Sequence, residues 1–294
     1  MEKQIVEQIR PYDQSMISPL NFDEVVKKLR GFFLSKNFKE TFPQPRMSIL
    51  AACENPESIS SYVFSGIKYP MIQTNQMWLE YDILKYPESK GVFCLTTSYR
   101  DEKSPIEGRH DKVFPMFEAE HVGNYTNLLD TLSELCVSLG FITDVDQVKF
   151  FKYDDLCEKY NTSILESEHE EMMWEDYGDV VAITHFPERT SPFWNMKKIG
   201  TNKNGESTYA KCDFIICGQE TIGAAERDTD PDRMRSNFYT ISDGKYSEIL
   251  FNMFGEDRVN RELDDFFDLE FIERWGFGMG MTRLIRAMNI KDLI

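Results

Sequence analysis

GVFCLTTSYRDEKSPIEGRHDKVFPMFEAEHVG, residues 91–123, holds two β-rich runs around a charged loop. The first run, Val92–Tyr99, is rich in Val, Phe, Leu, Thr and Tyr. The second, Val113–His121, alternates: Val113, Pro115, Phe117 and Ala119 fall on one side, Phe114, Met116, Glu118 and Glu120 on the other. A period of two with β-branched and aromatic residues predicts two strands, paired antiparallel. Their connection is too long for a tight hairpin turn, and long connections are usually functional or disordered. It carries Arg100, Glu102, Lys103, Arg109, His110 and Lys112 beside Asp101, Glu107 and Asp111. A strand pair projecting arginines and carboxylates from its mouth suits a polyanion with a metal. A solvated loop of mixed charge is the bland alternative, because such loops are common on protein surfaces.

The rest of the chain bounds the setting. Its 294 residues, 41% of them hydrophobic, suffice for a sizeable core. No apolar run opens the sequence, so neither a signal peptide nor a membrane span is expected. Six cysteines, at 53, 94, 136, 157, 212 and 217, include no CxxC pair, and the four histidines do not cluster with them. Buried free thiols in a reducing cytoplasm fit that pattern better than disulfides or zinc. The formal net charge of −17 repels nucleic acid at long range unless positive charge is focused. No run of Lys and Arg focuses it, which lowers the expectation for tRNA without forbidding it.

Along the chain, Met1–Ser18 reads as a polar leading segment. Asn21–Asn37 reads as a helix, with Asn21 as cap, Glu24 as its capping-box partner and a stripe of Val25, Val26, Leu29, Phe32 and Phe33. Pro43 and Pro45 mark an extended segment at an edge or subunit contact. Thr74–Leu84, Thr126–Leu139, Lys152–Tyr160, Glu166–Tyr177 and Tyr246–Phe254 read as helices, Gly140 and Gly255 closing the second and last. Tyr62–Ile72 suggests a short strand; Val180–Phe186 and Lys211–Cys217 read as strands, and Lys197–Tyr209 as a polar loop. One domain over 1–294 is the simplest organisation, with about 144–210 as an inserted or variable part.

Two further groups carry chemistry. Asp213 lies inside the apolar run KCDFIIC, where a carboxylate is costly unless paired or bound to a cation. Glu220 follows past a glycine, and two carboxylates on a rigid sheet can ligate Mg²⁺, which keeps waters and shares phosphates. Arg227 could clamp a carboxylate or carboxamide. A purely structural ion pair stands equally open. In GFGMGMTRL, residues 276–284, glycines 276, 278 and 280 let backbone approach a ligand, and the following helix offers its N-terminus to phosphate with Arg283 in its first turn. Such a glycine pattern is weak alone, and tight packing explains it as well.

In this order the groups resemble the three motifs of class II aminoacyl-tRNA synthetases, aspartyl/asparaginyl subclass. Pro45 after its helix resembles the proline of motif 1, TSYRDE with RHDKVFPMFEAE resembles motif 2, and GFGMGMTRL resembles motif 3. DFIICGQETIGAAERDTDP (213–231) is similar to the strand before motif 3, and TNQMWLE (74–80) to an asparaginyl substrate segment. The similarity spans roughly residues 22–290. It implies an α+β fold, an antiparallel β-sheet flanked by helices, dimeric through the motif 1 region. It also implies Mg²⁺-ATP-dependent activation of an aspartate- or asparagine-like amino acid.

On that resemblance Arg100 would hold the α-phosphate, Glu102 the adenine amino group, and Phe114 would stack on adenine. His110 and Arg283 would meet the outer phosphates, over a backbone opened at Gly278 and Gly280. Asp213 and Glu220 would hold Mg²⁺. Gln76, in the segment ending at Glu80, would meet the amino acid's α-amino end and Arg227 its side-chain oxygen, with Glu54 or Glu57 on a loop closing over it. Leu79 stands where aspartyl enzymes carry a substrate-binding lysine, which favours a neutral side chain or a remodelled aspartate pocket. Val113 replaces a common motif 2 glutamate. No N-terminal anticodon-binding barrel is expected, so the resemblance extends to stand-alone asparagine synthetases related to asparaginyl-tRNA synthetase. Transfer to tRNA or another acceptor, and a non-catalytic paralogue, are the other readings.

Overall fold

The computed structural model describes residues 17–43, 47–50, 56–103 and 111–294. In chain order these form α1 (Pro19–Ser35), β1 (Lys39–Glu40), a hairpin of β2 (Ser61–Phe64) and β3 (Ile67–Pro70), α2 (Gln76–Lys85), β4 (Gly91–Tyr99) and β5 (Val113–Val122). There follow α3 (Tyr125–Leu139), β6 (Lys149–Lys152), α4 (Tyr153–Tyr160), α5 (Ser167–Tyr177), β7 (Val180–Pro187), β8 (Lys198–Thr201), β9 (Ser207–Ile216) and β10 (Gln219–Glu226). Helices α6 (Pro231–Thr240), α7 (Lys245–Phe254) and α8 (Glu256–Phe267) precede β11 (Arg274–Gly280) and α9 (Met281–Ile290).

The described strands make a mixed but mainly antiparallel sheet in the order β1-β4-β5-β11-β10-β9-β7-β6, with β8 against β9. Pairing is parallel only at the two ends, β1 with β4 and β6 with β7. With helices on both faces, this is the α+β architecture expected. The alternation in β5 decides which face does what. Phe117 and Ala119 enter the main core with Phe33 of α1, Phe93 of β4 and Phe277 of β11. The Phe117 ring lies 5.0 Å from Phe33 and 5.2 Å from Phe93, both stacked. Each such buried aromatic contributes about 1.5–3 kcal/mol of transfer free energy. Glu118 and Glu120, one residue out of phase, face the other way and are also fully buried. On that second face α2 packs Leu79 and Ile83 on Val92 and Cys94, and α4 and α5 cover β7 and β9 through Tyr153, Leu156 and Met173. Between these covers the sheet face carries Gly223, Gly276 and Gly278.

Several local expectations need correction. Helix α1 starts at Pro19, with Ser18 as its cap, so Asn21 lies inside the first turn. A proline is preset for the first helical position, and that outweighs the polar signal two residues later. Lys197–Tyr209 is not a plain loop: β8 and β9 form a hairpin across it. Asn202 Oδ1 accepts from the backbone N–H of Asn204 (3.0 Å) and Glu206 (2.9 Å), a side-chain turn that polarity alone disguises. Residues within 144–210 add β6, β7 and β8 to the same sheet. Helices α6 and α8 were not anticipated, although Val259, Leu263, Phe266 and Phe267 make a helical stripe. Most of the leading segment, and Pro45, lie outside the described residues.

Candidate active site

Strand register assembles the floor of the site. Glu118 of β5, Gly278 of β11, Gly223 of β10 and Asp213 of β9 are successive cross-strand neighbours. The adjacent row, two residues along, is Glu120, Gly276, Ala225 and Lys211. Charged side chains therefore stand at both sides of a floor made of glycine and alanine.

Arg100 leaves the end of β4, its backbone N–H donating to Lys112 O at 2.7 Å. Its guanidinium lies 5.3 Å from the Phe114 ring centroid, over the ring expected to stack on adenine. Its Nε is buried with no hydrogen-bond partner among the described residues. A buried donor left unmatched costs about 1–3 kcal/mol, so this position is suited to an anionic acceptor. Glu102 is two residues further, half-buried. His110 and Glu54 lie outside the described residues.

Arg283, in the first turn of α9, donates to Glu220 O at 2.6 Å and lies 3.9 Å from Glu220 Oε2. The Glu220 N–H donates to Glu170 Oε2 of α5 at 2.7 Å, a contact that sequence spacing did not reveal. A Cβ placed on Gly223 would meet Glu220 Oε1 at 3.3 Å and Asp213 Oδ1 at 3.7 Å, so both carboxylates converge over that glycine. No group of three or more metal-type side chains occurs among the described residues. Two converging carboxylates with Arg283 beside them nevertheless suit Mg²⁺, which takes few protein oxygens and fills the rest of its octahedron with water or ligand oxygens.

Gln76, at the start of α2, lies over Gly278. Its Nε2 donates to Thr74 Oγ1 at 3.2 Å, and its Oε1 accepts from Arg227 Nη2 at 3.0 Å. Arg227 Nε donates to Glu120 Oε1 at 3.0 Å, an ion pair closed to solvent. The hydroxyl of Thr74 and the Asn75 N–H (2.9 Å) donate to Glu118. Gly276 leaves room for the Glu120 carboxylate, which overlaps the place its Cβ would take. At Gly280 no described atom lies within 4 Å of that place. In Gly278→Ala the new methyl would sit 2.7 Å from Gln76 Nε2, the flexible tip of a side chain. Gln76 would swing away, so KM for the amino acid should rise roughly tenfold or more while the melting temperature changes little. Steady-state kinetics with thermal melting checks this.

Burial pushes the Glu118 carboxyl up to about 7, against the opposing pull of Thr74, Asn75, Arg100 and Arg227. Burial also raises Glu120, with repulsion from Glu80 adding to it, and Arg227 opposes without overcoming the rise. The folded chain thus keeps a proton at Glu118 where an unfolded glutamate has lost it. That stabilisation is complete below the ordinary value of 4.5 and is lost as pH rises to about 7. Melting temperature should decline over that window, and less steeply in Glu118→Gln; equal slopes in both proteins would refute the assignment.

Glu80, expected near the amino-acid substrate, has its own protein partners. It is fully buried, paired with Arg274, and its Oε2 accepts from Asn195 Nδ2 at 2.7 Å. Its charge is matched inside the protein, near enough to Glu120 to raise that carboxyl. The carboxylates Glu118 and Glu120 are the pocket residues that sequence reasoning placed on a face without assigning a task; their one-sided alternation was the available signal.

A family model described as tRNA synthetases class II (D, K and N) matches residues 14–294. Among solved structures, asparaginyl-tRNA synthetase from Pyrococcus horikoshii, complexed with asparaginyl-adenylate, is similar at TM-score 0.70 and 18% identity, over 91% of this chain and 64% of that one. The Entamoeba histolytica asparaginyl-tRNA synthetase, also with asparaginyl-adenylate, gives TM-score 0.70 and 17% identity, over 93% and 64%. Aspartyl-tRNA synthetase from Entamoeba histolytica gives TM-score 0.62 and 16% identity, over 99% and 62%. The chain thus spans less than two thirds of the length of these structures, and the likeness at such identities is one of fold. No curated protein matches the sequence. Among the described residues no helix is long and apolar enough to cross a membrane.

Proposed function

Because the chain belongs to the class II tRNA synthetase family (D, K and N), we propose that it is a Mg²⁺-ATP-dependent ligase that adenylates an aspartate- or asparagine-like amino acid. In the fuller form of this reading it works as an asparagine synthetase: aspartate, ammonia and ATP give asparagine, AMP and pyrophosphate. The observation that carries it is the single face on which Arg100, Gln76, Arg227, Asp213, Glu220 and Arg283 meet over a glycine floor.

A carboxylate oxygen attacks the α-phosphorus of ATP, the bond to the bridging oxygen breaks, and pyrophosphate leaves with the electron pair. Ammonia then adds to the acyl carbon, AMP departs, and the surplus proton passes to solvent. The nucleophile of the first step is already ionised, so no general base is needed. Two anions must meet, at a cost of roughly 4 kcal/mol per charge pair near 4 Å and an effective dielectric of about 20. Arg100 offsets that repulsion at the α-phosphate, and Arg283 at the outer phosphates. Asp213 and Glu220 would hold the Mg²⁺, whose charge further neutralises the phosphates. Gln76 and Arg227, fixed to each other and to Glu120, orient the amino acid.

Homodimerisation through α1 and β1 is part of the proposal. Leu20 is 80% exposed and Phe42 84%, on or beside those elements, and β1 is the edge of the sheet. A cytoplasmic site of action is also part of the proposal, supported by the five described cysteines, all buried and free. The net charge of −17 favours a small acceptor over tRNA. Transfer to tRNA is the second reading, supported by the solved neighbours, and a non-catalytic role is disfavoured by the presence together of Arg100, Glu102, Glu220 and Arg283.

Pyrophosphate exchange across the twenty amino acids, repeated with ammonia or tRNA, tests the proposal. Exchange with aspartate and ammonia-dependent asparagine formation are expected. Exchange with asparagine alone moves the reading to another acceptor, and silence with every amino acid removes the activity.

A further inference from the structure

We propose that Glu170 of α5 is a positioning residue for Arg283: through the peptide of Glu220 it sets the guanidinium that meets the outer phosphates of a nucleoside triphosphate. This rests on the adenylation reading and deepens it, because it draws α5, within residues 144–210, into the nucleotide site.

Strands β9 and β10 turn back on each other through two residues, Cys217 (φ 47°) and Gly218 (φ 79°), with Ile216 opposite Gln219. Two successive residues at positive φ make the tight turn whose twist suits a hairpin. Helix α5 is seated on that turn: a Cβ on Gly218 would stand 3.0 Å from Trp174 Cε3 and 3.6 Å from Glu171 Cα. Trp174 Nε1 donates to Asp179 Oδ1 at 3.0 Å, tying the end of the helix to the approach to β7. At the other end, the Glu166 N–H donates to His169 Nδ1 at 2.9 Å, and His169 is buried. Glu170 follows directly, so its carboxylate springs from a helix fixed at both ends.

Pairing of β10 with β11 begins only at Ile222 opposite Met279, and the β9–β10 register shifts between Glu220 and Ile222. The backbone groups of Glu220 therefore lie past the end of one ladder and beside a break in the other. Such a break re-aims the chain, and its peptide groups need partners from elsewhere. The N–H donates to Glu170 Oε2 at 2.7 Å, and the C=O accepts from Arg283 Nη1 at 2.6 Å. One residue is thus gripped by an acid of α5 and a base of α9. Arg283 Nη1 is closer to that carbonyl than to the Glu220 carboxylate, 3.9 Å away. Arg286, one turn further along α9, donates to Cys217 O at 3.1 Å and holds the same helix to the turn. Where the guanidinium of Arg283 sits is then set by where the Glu220 carbonyl stands, and the charge-assisted bond from Glu170 fixes that.

The sign of the effect separates positioning from charge. A carboxylate acting only through its charge repels a triphosphate, so its removal would tighten binding. A carboxylate that places Arg283 loosens binding when removed. Calorimetry on the full chain at fixed Mg²⁺ measures a non-hydrolysable ATP analogue and AMP. Glu170→Ala should weaken the analogue about tenfold and leave AMP within about threefold, because AMP has no outer phosphate for Arg283 to meet. Glu170→Gln keeps an acceptor oxygen and should retain the analogue affinity within about threefold. In an Arg283→Ala background, Glu170→Ala should change nothing further, the non-additivity of residues that act as one unit. Tighter or unchanged analogue binding in Glu170→Ala, an equal loss for AMP, a Glu170→Gln protein as weak as Glu170→Ala, or a full extra loss without Arg283 would each overturn the proposal. Should Glu170→Ala fail to fold, Glu170→Asp, one methylene short of the Glu220 N–H, is read in its place. Failure of the unaltered protein to bind the analogue would overturn this proposal and the adenylation reading together. Glu170-dependent analogue binding without pyrophosphate exchange for any amino acid would sustain the assignment and defeat that reading. Exchange by a protein whose analogue affinity is indifferent to Glu170 would do the reverse.

Discussion

Arg100→Ala will abolish pyrophosphate exchange while leaving the folded protein almost as stable as before. The guanidinium rests over Phe114 and its Nε has no acceptor among the described residues, so no hydrogen bond at that nitrogen is lost with it. Unfolding free energy should fall by no more than about 1 kcal/mol, the scale of a cation–π contact outside the core. The rate should fall by at least about 100-fold, the scale seen when one preorganised donor to a developing anion is removed. Arg100 also helps hold the Glu118 carboxyl down, so the variant should keep its Glu118 proton to higher pH. Retained exchange would show that the α-phosphate is held elsewhere and would remove the motif 2 assignment.

Glu80→Ala will have the reverse profile. Arg274 is fully buried, with Nε 3.0 Å from Glu80 Oε1 and Nη1 donating to Asp228 O (3.0 Å) and Ile272 O (2.9 Å). Deleting the glutamate strands a charge that the two carbonyls cannot neutralise, which typically costs about 3–5 kcal/mol. For a chain of this length that lowers the melting temperature by about 10 °C. Below the transition, KM for the amino acid should stay within about threefold, because both Glu80 carboxylate oxygens are engaged by Arg274 and Asn195. Denaturant titration and kinetics at low temperature measure the two halves separately. A stable variant with a large KM defect would put Glu80 in the substrate pocket.

What the sequence disclosed, and what it concealed, follows from range. Strands β4 and β5 were legible because alternation is a local signal, and α3 because Leu128, Leu132, Leu135 and Leu139 repeat at helical spacing before Gly140. Arg100, Phe114, Asp213 and Glu220 could be named because each lies in a short recognisable run. The partners that define their surroundings could not. Arg227 and Glu120 are 107 positions apart, and Arg274 and Glu80 are 194 apart. Such pairings are created by strand order, and no window of sequence contains them. The Arg274 and Asn195 partners of Glu80 were hidden for that reason, since the segment around Glu80 contains neither of them. The hairpin at Asn202–Gly205 was hidden by polarity, since its stabilising bonds run from side chain to backbone and leave no apolar trace.

The strict alternation of β5 and β11 has a mechanical consequence. Glu118 is threaded between Phe117 and Ala119, and Gly276 and Gly278 between Trp275, Phe277 and Met279, all of them buried in the main core. Each ligand-facing position thus shares its peptide planes with two hydrophobic anchors on the reverse side. Tolerances at the reaction centre are inherited from how tightly the oily layer behind it is wedged. Trimming Phe117 or Phe277 would blur the chemistry through the strand itself, without touching any group that meets the substrate.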